Sequence, residues 1–217
     1  MAESKKALQT QTYESRCSGT YGSHYILKLI VTENSIDTDT NKSNITIKVT
    51  NQSEGNTWGN YGYANPTKIY VNDAERAYNN PTTDYRNQKE NVLCEWTGDI
   101  THNDNGEKEI SVRAEFSSTA THLSGGSVSG KIKLTTIPRA STVTANDSNI
   151  DSISNIVITR ASDSFTHTLK YSFGDLSGTI VTKTNLTTVP FKVPTSFYTQ
   201  IPNAKSGKCT ITCETYN

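Results

Sequence analysis

Apolar and polar residues alternate with a period of two along most of this chain, the pattern of a β-strand with one buried face and one face in water. Six segments of this kind precede residue 137, at residues 25–32, 44–50, 67–72, 92–97, 109–116 and 128–134. The first of them carries apolar residues on both faces, because Ile26 and Ile30 lie on the face opposite Leu29. We therefore expect that segment to be a central strand.

A second series of strand patterns follows Pro138, at residues 141–145, 153–159, 165–173, 178–184, 189–193 and 208–216. The segment KLTTIPRAST, residues 133–142, lies between the two series. Its proline cannot donate to a sheet and stiffens a short linker. The one helical turn that the sequence predicts is 195–201, with Thr195 as its N-cap and Pro202 as its stop.

These patterns predict an all-β protein with two β-sandwich domains. We expect a polar N-terminal arm at residues 1–18, a jelly-roll-like sandwich at 19–137 and a second sandwich at 138–217. Six or seven short strands over about 80 residues are typical of an immunoglobulin-like domain. The last strand pattern runs to the end of the chain, where a sandwich usually needs one more strand. We therefore expect the second domain to be truncated and the chain to be a fragment.

Composition supports polar sheets with thin cores, since 33 Thr favour strands while 23 Ser and 20 Asn favour turns. The formal net charge of +0 provides no electrostatic footprint for nucleic acid, but it allows binding to a neutral polymer such as a polysaccharide. We see no signal peptide and no apolar window long enough for membrane insertion. Four cysteines are too few for a disulfide framework, so we expect free thiols and synthesis in a reducing cytoplasm.

Two long connections in the first domain have the composition of a glycan site. Residues 54–65, EGNTWGNYGYAN, and residues 78–86, YNNPTTDYR, combine flat aromatic rings with amide, carboxylate and guanidinium groups. A sugar needs both, because its ring has an apolar C–H face and a rim of hydroxyls. The candidate contacts are Trp58, Asn60, Tyr61, Tyr63, Tyr78, Asp84, Tyr85 and Arg86. The alternative is that these aromatic residues cap a thin core and the polar residues only solvate turns.

The sequence gives weaker support to a metal site or a catalytic site. We expect no metal, no cofactor and no catalytic residue. The segment 37–48 opens like a calcium loop but has Lys42 where glycine is needed and Lys48 where glutamate is needed. Asn105-Gly106 between alternating runs predicts a hairpin rather than a catalytic cluster. Cys209 and Cys213 on one strand would lie about 13 Å apart, too far for one zinc ion.

Three segments resemble a known family. They are TTIPRASTVTANDSNI, ITRASDSFTHTLKYSFGDLSGTI and VPTSFYTQIPNAKSGKCTITCETYN, at residues 135–150, 158–180 and 193–217. They are similar to phage minor structural proteins, which are tail-tip or tail-fibre components of siphophages of Gram-positive bacteria. The first domain resembles theirs more loosely. The resemblance implies a carbohydrate-binding-module-like sandwich followed by immunoglobulin-like spacers, located in the virion tail. It supplies no residue-level site.

We therefore expect a non-enzymatic tail protein, made in the host cytoplasm, that attaches to host cell-wall polysaccharide and contacts other tail proteins. The threefold or sixfold symmetry of tails is compatible with a homotrimer. One alternative is a purely structural spacer whose receptor site lies elsewhere. A polysaccharide depolymerase is the least favoured function, because no local motif marks a pair of catalytic carboxylates.

Overall fold

The computed structural model describes residues 7–54 and 61–217, and it confirms an all-β protein. Strands dominate, and the helical elements of the described residues are short 3₁₀ segments, at Gly22–His24, Arg86–Gln88 and Thr195–Gln200. Contacts divide the chain into two compact units, Met1–Ile137 and Pro138–Asn217. The boundary falls inside the TTIPRAS segment, immediately before the proline.

The described part of the first unit contains ten strands in chain order. They are β1 (Gln9–Arg16), β2 (Tyr25–Asp37), β3 (Lys42–Ser53), β4 (Tyr61–Ala64), β5 (Thr67–Val71), β6 (Ala74–Asn79), β7 (Thr82–Asp84), β8 (Asn91–Thr101), β9 (Glu109–Ser117) and β10 (Gly125–Lys133). Sheet A has the antiparallel order β1-β2-β3-β8, and sheet B has the order β10-β9-β5-β6. A two-stranded ribbon pairs β4 with β7.

One buried cluster is shared by the two sheets of the first unit. Its apolar side chains come from alternate positions of each strand, as the period-two pattern predicts. They include Leu27, Leu29, Val31, Ile45, Ile47 and Val49 from sheet A, and Ile69, Val71, Ile110, Val112, Ala114, Val128 and Ile132 from sheet B. The prediction that residues 25–32 form a central strand is confirmed, since β2 pairs with β1 on one side and β3 on the other.

The N-terminal segment expected to be a separate arm contributes β1 to sheet A. Residues Gln9 to Arg16 pair with β2 without a break. Side chains of β1 also reach the neighbouring strand β10: Gln9 and Ser15 donate to the backbone oxygens of Lys133 and Ser127, at 3.1 and 2.7 Å. Tyr13 donates to Lys131 in the same way. The sequence pattern missed this strand because its partly buried face is mostly polar.

A fully buried carboxylate, that of Glu33, lies on the core-facing side of β2. It accepts hydrogen bonds from Ser43 Oγ at 2.6 Å, from Gln9 Nε2 at 2.7 Å and from the amide and hydroxyl of Thr135 at 3.0 and 2.7 Å. Ser43 in turn is 2.7 Å from Nε2 of His102, another buried side chain. Burial alone would raise the pKa of Glu33, but the hydrogen bonds from Ser43, Gln9 and Thr135 outweigh burial and hold the pKa below its usual range.

The second unit contains six described strands and, like the first, has two sheets around one core. They are β11 (Thr142–Thr144), β12 (Ile153–Thr159), β13 (Thr166–Phe173), β14 (Leu176–Thr184), β15 (Thr188–Lys192) and β16 (Thr210–Tyr216). The sheets have the orders β11-β12-β15 and β14-β13-β16. Both supply one core, in which the rings of Phe173 and Phe197 stack at 4.2 Å. The predicted helical turn is present, but Thr195 is its first residue and Pro194 takes the cap position.

Side-chain contacts anchor the segment that begins the second unit. The guanidinium of Arg139 lies over the ring of Phe165, 5.1 Å from its centroid. The hydroxyl of Ser141 is 2.8 Å from Nε2 of His167, which is fully buried. Burial lowers the pKa of His167, and the nearby Arg160 lowers it further. His167 therefore acts as a neutral core histidine with one side-chain partner.

We predict that Glu33→Gln lowers the free energy of unfolding by about 3 kcal/mol at pH 7, because hydrogen bonds to a charged acceptor contribute about 1.5–3 kcal/mol each. The pKa of Glu33 is lower in the folded than in the unfolded chain. Its contribution is therefore complete above the unfolded pKa and is lost as the pH falls through the folded pKa. Chemical denaturation between pH 7 and pH 3 should show a smaller acid destabilisation in the variant. Glu95→Gln, at an exposed position of β8, is the control and should change little. Equal pH dependence in both variants would contradict this role.

We also predict that Tyr85→Ala destabilises the first unit by about 3–5 kcal/mol, the usual cost of truncating a buried aromatic residue. The Tyr85 side chain is 1% exposed, and its ring packs edge-on against Tyr25 at 5.0 Å. Tyr85→Phe keeps the ring and should retain most of the stability. Thermal unfolding of the three proteins is the measurement. An unchanged melting temperature in Tyr85→Ala would show that the ring is not part of the core.

Candidate functional site

The structure brings together the two connections that were predicted to form a glycan site. They meet in the ribbon of β4 and β7, where Tyr61 is paired with Asp84, Tyr63 with Thr83 and Ala64 with Thr82. A buried amide follows the ribbon: Asn65 Nδ2 donates to the Tyr63 oxygen at 2.7 Å and to Thr83 Oγ1 at 2.8 Å. The ribbon is therefore a fixed element of the first unit.

Further connections surround the ribbon, and we call this part of the first unit the loop end. The amide of Thr119 donates to the Ala64 oxygen at 3.1 Å, and the amide of Glu54 donates to the His24 oxygen at 2.7 Å. Tyr21 joins two of the connections, because its ring lies 4.8 Å from that of His122 and 6.5 Å from that of His24. The loop end thus gathers residues 17–24, 54, 61–66, 81–89 and 117–125.

Asp84 and Arg86 form a close polar pair at the loop end. Arg86 donates from Nε to Oδ1 and from its terminal nitrogen to Oδ2 of Asp84, both at 2.8 Å, which is a bidentate arrangement. The hydrogen bonds from Arg86 lower the pKa of Asp84 to about 2. Asp84 is therefore a permanent carboxylate at neutral pH, and the pair presents both charges in one fixed geometry to solvent.

The remaining predicted contacts fall in different places. Tyr63 is partly buried and packs against the core. Tyr85 is not accessible to a ligand, because its ring fills the core between the sheets. Tyr78 is 57% exposed but lies on β6, directly opposite Lys68, on sheet B. Trp58 and Asn60 lie outside the described residues, as does the side chain of Tyr61.

The segments considered for metal binding are turns. Asp37 ends β2, and its carboxylate accepts the amides of Asp39 and Thr40 at 2.9 and 3.1 Å. Asn105-Gly106 forms a tight turn, in which the Gly106 amide donates to the Asn103 oxygen at 2.8 Å. The predicted hairpin is wrong, because the turn connects β8 of sheet A to β9 of sheet B and these two strands do not pair. Across residues 7–54 and 61–217, no three His, Cys, Asp or Glu side chains are grouped so that they could hold a metal ion.

Sequence reasoning missed a groove of about 260 Å³ on the outer face of sheet B. It is lined by Tyr70, Asp73, Ser111, Val112, Arg113, Ser129, Gly130 and Lys131. The outward-pointing side chains among these alternate with core residues, so each strand taken alone has the pattern of an ordinary wet face. Only the register of three strands places them beside one another.

The family described as "Siphovirus protein of unknown function (DUF859)" matches residues 17–217, nearly the whole chain. No curated protein matches. In the described residues, no helix has the length and apolar character needed to cross a membrane. The match extends through both units, and the chain belongs to this family of siphovirus proteins, which suggests a component of the phage virion.

Proposed function

We propose that this chain is a non-enzymatic component of the siphovirus tail that attaches the virion to host cell-wall polysaccharide through the loop end of its first unit. The observation that carries the proposal is the β4–β7 ribbon, which holds the two aromatic and polar connections side by side. Binding residues commonly lie on loops positioned by a rigid scaffold. We further infer that each unit is a β-sandwich, the first carbohydrate-module-like and the second immunoglobulin-like, because two sheets share each core.

The chemistry of the loop end suits a sugar. The Asp84–Arg86 pair offers a fixed acceptor and fixed donors to neighbouring hydroxyls. Trp58, Asn60 and Tyr61 belong to the connection that leads into the ribbon. We assign to them the aromatic ring face and the amide that a sugar needs. A single site of this kind binds weakly. Several linked copies, for example in a homotrimer held by other tail proteins, would raise avidity by about 10²–10⁴ without a new contact.

The carboxylates support a binding role over catalysis. A glycosidase needs a general acid whose pKa is raised towards neutrality. In the described residues, every carboxylate whose pKa is displaced has it lowered, namely Glu33, Asp37, Glu54, Asp84 and Glu214. None of these five is therefore suited to act as the general acid of a depolymerase at neutral pH.

A purely structural spacer is the second candidate, and two observations favour it. Asp84 and Arg86 already satisfy each other, and Tyr85, one of the predicted sugar contacts, belongs to the core. In a spacer, the ribbon would only close one end of the first unit, and receptor binding would lie in another part of the tail.

The test is binding of the full chain, displayed on a multivalent carrier, to Gram-positive cells and to their purified wall polysaccharide. We expect saturable binding that free wall oligosaccharides compete away. Arg86→Ala should weaken the affinity about tenfold, since it removes hydrogen bonds from a charged donor, and Trp58→Ala should abolish binding. Neither change should shift the melting temperature appreciably.

The matched control is Lys192→Ala, which breaks an exposed ion pair with Asp151 in the second unit and should bind like the wild type. A well-folded chain that binds no wall polysaccharide in multivalent form would favour the spacer. Release of reducing ends from the polysaccharide would favour a depolymerase.

A further inference from the structure

The outer face of sheet B carries a groove whose walls come from three adjacent strands. Tyr70 on β5 is paired with Arg113 on β9, and Arg113 is paired with Ser129 on β10. Ser111 is paired with Lys131 one step along the same strands. Because side chains two residues apart point to the same face, these side chains all project away from the core.

One wall of the groove is held in place before any ligand arrives. The guanidinium of Arg113 lies over the ring of Tyr70, 3.9 Å from its centroid, and also pairs with Glu115. The Tyr70 hydroxyl donates to the same carboxylate at 3.2 Å. Three side chains thus restrain one another, so binding would cost little further side-chain entropy.

The floor and the far rim are set by short side chains and a tight turn. Ser111 and Ser129 leave space between the longer side chains of their neighbours. Asn72 and Asp73 connect β5 to β6 with φ of 49° and 63°, the two positive values of a type I′ hairpin. The Asn72 side chain accepts the Ser111 amide at 3.0 Å, which fixes the turn against β9 and places Asp73 at the rim.

We propose that this groove is a saccharide-binding subsite, distinct from the loop end. The proposal rests on the proposed function and gives it a second surface. The lining offers two serine hydroxyls, an ammonium, a carboxylate and the guanidinium that covers the Tyr70 ring, a mixture that suits a polyhydroxylated ligand of low net charge. In the described part of the chain, neither Lys131 nor Asp73 forms an ion pair, so both remain available to a ligand. A volume of about 260 Å³ suits a single ring of a longer polymer.

The same face offers a continuation for the polymer. Lys68 is paired with Glu115 on one side and with Tyr78 on the other, so Tyr78 lies on the groove side of sheet B. Its ring is 57% exposed. A chain of sugars leaving the groove past Glu115 and Lys68 would then meet this ring. Tyr78 lies away from the loop end, and in this proposal it contacts the ligand on sheet B instead.

The experiment is NMR titration of the isotope-labelled full chain with oligosaccharides released from purified Gram-positive cell-wall polysaccharide, combined with affinity measurements on variants. Ser111→Leu fills the floor of the groove, and Arg113→Gln removes the guanidinium. We expect each to weaken binding at least tenfold. Thr12→Leu makes a similar change at an exposed position of sheet A and should bind like the wild type. Amide signals of β9 and β10 should shift on titration, and those of the outer face of sheet A should not.

The outcomes separate the two proposals. Signal changes confined to the loop end, with Ser111→Leu binding like the wild type, would overturn the groove and leave the proposed function standing. No binding by the wild-type chain, even on a multivalent carrier, would overturn both. If either groove variant unfolds, the signal changes in the wild-type protein still decide whether the groove is occupied.

Discussion

The buried carboxylate of Glu33 is the constraint on which much of the first unit depends. An ionised group in a core must have its lone pairs satisfied, and the donors that satisfy this one come from three distant parts of the chain, Gln9, Ser43 and Thr135. Nδ1 of His102 faces the oxygen of Gly106 at 2.8 Å while its Nε2 faces Ser43. Strand β1, the turn between β8 and β9 and the segment leading to the second unit are thus positioned by one connected network. The bulge in β2 immediately after Glu33 is part of the same local geometry.

Strand positions were predictable from the sequence because alternation records burial directly. For Ile110, Val112 and Ala114, hydrophobicity alone predicts that the side chains face the core. The same rule fails where an inward position is polar. Glu33 and the inward-facing positions of β1 look solvated in the sequence, and their burial depends on partners up to 124 residues away. Tyr85 shows the opposite failure, since a tyrosine between polar neighbours resembles a surface contact until its packing against Tyr25 is known.

The candidate surfaces, like the strands, were predictable only as far as the local sequence pattern reveals them. The rest depends on which distant strands pair. The composition of the two connections pointed to the loop end, and the pairing of β4 with β7 supplied the geometry that composition could not. The groove on sheet B has no sequence signature, because Ser111, Arg113 and Lys131 each resemble ordinary outward residues. The proposed polysaccharide ligand is long and repeating, so two weak surfaces on one unit would suit it better than one deep pocket.

The polar side chains of β1 affect whether copies of this protein can pair through a sheet edge. A sheet edge with free backbone oxygens is a template on which a strand of another molecule can pair. On β10 the oxygens of Ser127, Lys131 and Lys133 are already occupied by the side chains of Ser15, Tyr13 and Gln9. That edge therefore cannot recruit a neighbouring chain without first losing its own contacts. The side chains of β1 thus protect the β10 edge against strand pairing with another copy of the chain.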